Sequence, residues 1–315
     1  MHYRIFGMTI EADCELSMAY ALPEGTTGEA DIRICAANLS WIETQVKQFI
    51  EEHGDTNEEG EPLWLVEKLD SQESWGAILG DGYFCMREGK TLEYMRLPQS
   101  RQWHFEQSLF VYGMSVIMIQ RGTVMLHGSC ICHENRAVIL TGESGSGKST
   151  LTDELLKRDM QFMADDAVAL RFEGDTVRAQ AAFPVRRMCA DALTAEERHG
   201  QGVIYMPDGG REKYGLPERE RYHAGEACLG AIFCLVVSPE NEVKVESVSG
   251  GAKLALLLDC LYKKSTYQQL SLTAKMMSEL LKLAGQISVY RVNRPQNRMT
   301  VGELAEEVQK IMQSL

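Results

Sequence analysis

A chain of 315 residues with 44% hydrophobic content is long enough to bury a large core and predicts two domains. Its net charge of -13 argues against a nucleic-acid or acidic-membrane partner, and no apolar run reaches the length of a membrane span. Nine scattered cysteines, an odd number, fit a reducing, cytoplasmic setting better than a disulfide framework, and the opening Met1-His-Tyr-Arg-Ile-Phe-Gly7 lacks the apolar core of a secretory signal.

Taken in order, Tyr3 to Glu11 and Glu29 to Cys35 alternate apolar and polar residues and predict strands on either side of the turn-rich Leu22 to Gly28. Glu51 to Pro62 is acidic, lacks apolar periodicity and predicts an exposed loop. Trp75 to Leu79 and Gly82 to Met86 add strands, so residues 1–102 read as a small β-rich domain without a recognisable catalytic constellation. A second domain follows over residues 103–315. It opens on a helix from Trp103 to Gln120, apolar around most of its surface, expected to be buried between the domains and ended by Gly122.

Thr123 to Cys132, the polar His133-Glu-Asn-Arg136 and the apolar run to Thr141 predict a hairpin in which the strand of His127 pairs with the strand leading to Gly142. Gly142-Glu-Ser-Gly-Ser-Gly-Lys-Ser149 then fits G-x-x-x-x-G-K-[ST], with Leu151, Leu155 and Leu156 at helical spacing behind it. A strand, loop and helix of this kind turns successive N–H groups around an anion at the helix N-terminus. Residues Gly142, Glu143, Ser144, Gly145, Ser146, Gly147, Lys148, Ser149 and Thr150 are therefore the candidate ATP cradle, with Lys148 as a point charge on the β and γ phosphates and the Ser149 hydroxyl directed at Mg²⁺. Gln161 to Arg171 reads as a returning strand interrupted by Asp165 and Asp166, which a parallel return would set on the edge that carries the loop.

Farther along, Phe172 to Val177 predicts a hairpin turn, Ala181 to Cys189 a proline-punctuated strand, and Thr194 with Glu197 a capping box. Residues 205–226 have the composition of a loop or lid, with Arg211, Lys213, Arg219 and Arg221 among glutamates. Leu229 to Ser238 predicts a central strand, Lys253 to Tyr262 and Leu272 to Ala284 amphipathic helices, Ile287 to Val292 a strand, and Thr300 with Glu303 the cap of a terminal helix. Strands alternating with helices make this region α/β.

Leu126-His-Gly-Ser129, Leu140-Thr-Gly-Glu-Ser-Gly-Ser-Gly-Lys-Ser-Thr-Leu151 and Phe162-Met-Ala-Asp-Asp-Ala-Val168 together resemble the catalytic domain of the HPr kinase/phosphorylase family. The resemblance implies a P-loop kinase domain of the HPr kinase C-terminal type, ATP and Mg²⁺ as cofactors, and a serine hydroxyl as acceptor. It places the catalytic residues on His127, Lys148 and Asp166, with Asp166 the base, and it implies a homo-oligomer. By the chemistry of phosphoryl transfer, Asp165 would hold Mg²⁺ through water together with Ser149. Two departures stand out: Thr150 replaces the glutamate common after the loop serine, and residues 180–200 lack the family's glycine-rich second signature, which leaves Asp191 as the substitute metal ligand and does not favour the reverse reaction. Tyr3 to Ile10 and Phe183-Pro-Val-Arg186 are similar to shorter HPr-kinase-like proteins of peptide-modification systems, including lasso-peptide precursor kinases. The acceptor expected on this basis is a peptide or small protein, with Arg186 and Lys213 as further candidate site residues. A small-molecule kinase and a non-catalytic ATP-dependent switch are the competing readings.

Overall fold

The computed structural model describes every residue except Glu24, Thr26, Thr27, Glu58, Glu59, Glu61, residues 206–211, residues 271–273 and Leu315. The chain is mixed α/β and divides into two compact units, Met1–Thr123 with Ser265–Leu272, and Val124–Lys264 with Thr273–Leu315. Among the described residues no helix is long and apolar enough to cross a membrane.

The first unit carries β1 (His2–Ile5), β2 (Met8–Ala12), β3 (Tyr20–Ala21), β4 (Ile32–Ala36), α1 (Ser40–His53), β5 (Leu65–Lys68), β6 (Glu73–Ile78), β7 (Gly82–Arg87) and β8 (Thr91–Arg96), with the strands in one sheet of order β3-β1-β2-β4-β8-β7-β6-β5. The alternating run Tyr3 to Glu11 is not one strand: the chain reverses at Phe6-Gly7, both at positive φ, so β1 and β2 form a hairpin. Helix α1 has no counterpart in the sequence reading. It buries Ile42 and Val46 and leans Phe49 and Ile50 on Trp75, Ala77 and Tyr83, a helical spacing that the charged residues between them conceal. The helical stretch after β8 runs as α2 (Gln102–Gln107), a π-helical segment over Ser108–Met114, and α3 (Ser115–Gln120), and Gly122 follows at φ 73 as expected of a stop.

In the second unit, β9 (Val124–His127), β10 (Ser129–His133), β11 (Arg136–Gly142), α4 (Lys148–Leu156), β12 (Gln161–Ala164), β13 (Ala167–Glu173) and β14 (Thr176–Gln180) lead to β15 (Val185–Cys189), a short helix α5 (Ala195–Arg198), β16 (Ile204–Tyr205), β17 (Lys213–Pro217) and the long β18 (Glu226–Ser238). Then come β19 (Lys244–Ser247), α6 (Gly250–Asp259), α7 (Lys264–Gln269, nearly all of it in the first unit), α8 (Ala274–Gln286), β20 (Ser288–Pro295) and α9 (Val301–Ser314). Strand β18 is central as its apolar run predicted, parallel to β11 on one side and to β20 on the other. One face of this sheet buries Ile131, Val138, Leu140, Phe162 and Phe233 against Leu151 and Leu155 of α4 and Leu304 and Val308 of α9. The capping box at Thr194 and Glu197 forms as its pattern predicted. Glu303, in the first turn of α9, pairs with Arg298 of the preceding loop.

Two further expectations change. His127 does not lie on a strand paired with β11; β10 takes that place, and His127 ends β9, opposite Ala167 of β13. Lys213–Pro217, inside the segment read as loop or lid, is a strand pairing with β15 and β16, while Arg211 lies outside the described residues. Charged residues flanking a five-residue strand masked its alternation.

Candidate functional site

The sheet order β12-β10-β11-β18-β14-β13-β9 puts β10 and β12 near one edge and β9 and β13 at the other. Yet β9 passes to β10 through Gly128 alone, and β12 passes to β13 through Asp165 and Asp166 alone. Connections this short require the sheet to curl until its edges meet, and the Gly128 N–H donates to the Asp166 carbonyl at 3.3 Å across the junction. The carboxyl end of β11 lies beside this seam, because the Thr141 hydroxyl donates to the His127 carbonyl at 2.7 Å. Curling thus brings together His127, the two aspartates and the loop that starts at Gly142.

The loop has the backbone of a cradle. Gly142 has φ 135, and a Cβ there would overlap the Leu235 carbonyl of the neighbouring strand; Gly147, at φ 99, is the N-cap of α4. The Ser146 hydroxyl is buried without a hydrogen-bond partner among the described residues, a polar atom suited to an oxygen-rich ligand. Glu143, Ser144 and Gly145 are exposed, whereas Ser149 and Thr150 occupy the first turn of α4. Lys148 Nζ donates to the carbonyls of Gly142 (2.6 Å) and Glu143 (3.0 Å). Burial pulls its ammonium below the ordinary lysine value, against the attraction of Asp165 and Asp166 and with the repulsion of Lys213.

The two aspartates are differently employed. Asp165 Oδ1 accepts from the Ser129 hydroxyl (2.7 Å) and the Asp166 N–H (3.1 Å), and its Oδ2 accepts from the Arg187 N–H (2.8 Å), so this carboxylate ties β10, β15 and the seam together. Asp166 sits at φ 72, a left-handed conformation uncommon outside glycine and characteristic of functional turns. Its Oδ2 faces Tyr262 and Arg187, and its Oδ1 lies 3.5 Å from His127 Nδ1. That nitrogen is also 3.1 Å from the Asp166 carbonyl oxygen, which can only accept; Nδ1 therefore carries the proton, and Nε2 is the atom left to face a substrate.

The remaining candidates separate. Arg186 is buried in an ion cluster with Asp153 and Glu218, away from the seam, and it is the adjacent Arg187 whose guanidinium lies 3.6 Å from Asp166. Lys213 reaches Lys148 electrostatically. Asp191 is exposed in a 3-10 turn, and among the described residues no group of three His, Cys, Asp or Glu side chains could hold a metal ion. The donor set, the Ser149 hydroxyl with the spare lone pairs of Asp165, fits a Mg²⁺ ion carried largely by phosphates and water. Sequence reasoning missed Arg187, Tyr262 and Arg294. Arg294, on β20, donates from Nε to the Ser146 carbonyl (2.6 Å) and from Nη2 to the Gly145 carbonyl (3.0 Å).

A glycine-rich loop at a helix N-terminus, a lysine and an adjacent carboxylate and imidazole are the groups that binding a polyphosphate and taking a proton from a hydroxyl require. A 55-residue segment is 40% identical to an HPr kinase/phosphorylase of Chlorobium luteolum, covering 18% of this chain and 17% of that protein's length, and over it the chain is HPr kinase/phosphorylase-like. The solved structure of the Hpr(Ser) kinase/phosphatase from Coxiella burnetii aligns with 60% of this chain and 94% of its own at 14% identity, with a TM-score of 0.31, too low to support an argument about fold. No protein-family model matches the chain.

Proposed function

We propose that this protein is an ATP- and Mg²⁺-dependent serine kinase, with the second compact unit as a P-loop catalytic domain of the HPr kinase type. It transfers the γ-phosphoryl group to a serine hydroxyl of a peptide or small protein, such as a ribosomal peptide precursor. The observation that carries this reading is the single cluster formed by the loop lysine, Asp166 and His127. The loop amides and Lys148 hold the phosphates, Lys148 exchanging its two carbonyl partners for phosphate oxygens. Asp166 accepts the proton of the acceptor hydroxyl as its oxygen attacks phosphorus, and the electrons of the broken P–O bond leave with ADP. His127, its Nδ1–H fixed on the Asp166 backbone, presents Nε2 to the reacting groups. Mg²⁺, when bound through Ser149 and Asp165, supplies charge neutralisation for the phosphates.

The test is intact-mass analysis of acceptors incubated with ATP and Mg²⁺, in a panel of serine-ended peptides, small carrier proteins, free serine and sugars. A gain of one phosphate on a peptide or protein is the expected result. Asp166→Asn lowers the rate roughly 10²–10⁴-fold, the usual worth of a general base, with ATP binding retained. Lys148→Ala weakens ATP binding as well as transfer. ATP binding with no phosphorylated acceptor would turn the reading into a nucleotide switch, and a phosphate on free serine or a sugar alone would remove the peptide acceptor.

A further inference from the structure

Tyr262 is 4% exposed and lies outside every motif that led to the site. Its segment follows α6 and runs along the open edge of β9: the His127 N–H donates to the Cys260 carbonyl at 2.7 Å, Leu126 bridges Leu261, and the Tyr262 N–H donates to the Met125 carbonyl at 3.0 Å. These bonds occupy the backbone groups of an edge strand and fix Tyr262 alongside His127. The two rings are parallel within 11°, their centroids 6.3 Å apart. The Tyr262 hydroxyl donates to Asp166 Oδ2 at 3.3 Å, and the Arg187 guanidinium lies 3.6 Å from the same oxygen. One side chain therefore bonds Asp166 and lies parallel to His127, the two groups to which the site assigns proton handling.

We propose that Tyr262 is a positioning residue for phosphoryl transfer: its hydroxyl and Arg187 occupy Asp166 Oδ2, its ring sets the plane of the His127 imidazole, and Asp166 Oδ1 is thereby reserved as the oxygen that takes the proton. In the step itself, the acceptor O–H bond breaks and its proton passes to Oδ1, the freed oxygen pair forms the new bond to the γ phosphorus, and the bond from that phosphorus to the bridging oxygen breaks, with its pair leaving on ADP. Nothing else is consumed. A carboxylate at a left-handed residue has no helix or strand ladder of its own to hold it, so its rotamer depends on such neighbours. This role rests on the kinase reading for its consequence, but the contact can be tested without it.

The first arm compares Tyr262→Phe, which keeps the ring and loses the hydroxyl, with Tyr262→Leu, which loses both, using ATP, Mg²⁺ and whichever acceptor of the panel is phosphorylated. The expected result is a fall in kcat of roughly tenfold for Tyr262→Phe, the worth of one hydrogen bond to a charged group, with KM for ATP within about twofold of wild type and a larger fall for Tyr262→Leu. A role confined to packing would spare the Phe variant, so equal kcat in Phe variant and wild type overturns the proposal. The second arm records the ¹⁵N resonances of the His127 imidazole, which need no turnover. Wild type and Tyr262→Phe are expected to show the Nδ1–H tautomer, and Tyr262→Leu to move toward a tautomer average. Unchanged resonances in the Leu variant overturn the proposal even where transfer is observed. If no acceptor is phosphorylated but the resonances move, the kinase reading fails and the positioning of His127 by Tyr262 is upheld.

Discussion

At the scale of the residue, the site is governed by a few backbone positions that tolerate little change. Asp166 holds φ 72, where a β-carbon costs about 1–2 kcal/mol unless a short polar side chain compensates locally, as Asn and Asp do. Asp166→Asn should therefore lose transfer while keeping the thermal midpoint within a few degrees of wild type. Asp166→Ala should lose transfer and also melt lower by about 1–2 kcal/mol of stability, the left-handed cost now uncompensated. Calorimetry of the two variants side by side checks this, and equal midpoints would show that the strain is carried elsewhere. Gly142 is the second such position. A Cβ there would press on the Leu235 carbonyl, which belongs to the parallel pairing of β11 with β18, so Gly142→Ala has to displace main chain and not merely a side chain.

At the scale of the element, the glycine-rich loop over residues 142–149 is held from outside by a strand that enters far later in the chain. Arg294 donates to the carbonyls of Gly145 and Ser146, 149 and 148 residues away in sequence, while the Ser146 N–H closes a turn onto the Glu143 carbonyl at 3.1 Å, so the path of the loop is tied both to β20 and to itself. Arg294→Met keeps much of the side-chain length and removes both bonds. ATP affinity is expected to fall roughly tenfold, as for loss of a hydrogen bond to a charged group, with the thermal midpoint little changed because the loop is at the surface. Titration with a fluorescent ATP analogue measures this; unchanged affinity would mean that the loop keeps its shape unaided. The same comparison shows why part of the site could be read directly and part could not. Lys148 is marked by the loop motif and the pair Asp165-Asp166 by its place between two apolar stretches, whereas His127, and Asp166 over Asp165, were singled out by the family resemblance. Arg294 and Tyr262 reach the cluster only through the order of strands in a curled sheet, and no local spacing encodes that order. The apolar β18 announced itself by an almost continuous run, whereas α1 and β17 carry their few buried residues among charges and escaped notice.

At the scale of the whole molecule, the two compact units can be followed separately, because Trp41, Trp64, Trp75 and Trp103 all lie in the first. That unit contains a titratable pair whose consequences for stability can be worked out. Asp81 is fully buried and would by burial alone be pushed up, but hydrogen bonds from His104, Ser100 and Ser108 outweigh this and hold its carboxyl below the ordinary value of 3.8. The hydrogen bond to Asp81 raises His104 above its ordinary 6.5, partly opposed by burial. A depressed carboxyl contributes stability above its unfolded value and loses it as pH falls through the folded one. A raised imidazole contributes fully below its unfolded value and loses that contribution as pH rises through the folded one. The pair therefore stabilises most between about pH 4 and pH 6.5, and denaturant titrations followed by tryptophan emission should show a higher midpoint near pH 5.5 than at pH 8. His104→Gln removes the ionisable ring while retaining a hydrogen-bond donor, so the decline between pH 6.5 and pH 8 should flatten in that variant. If it remains as steep as in wild type, the alkaline loss arises instead from repulsion within a chain of net charge -13, and added salt should then relieve it.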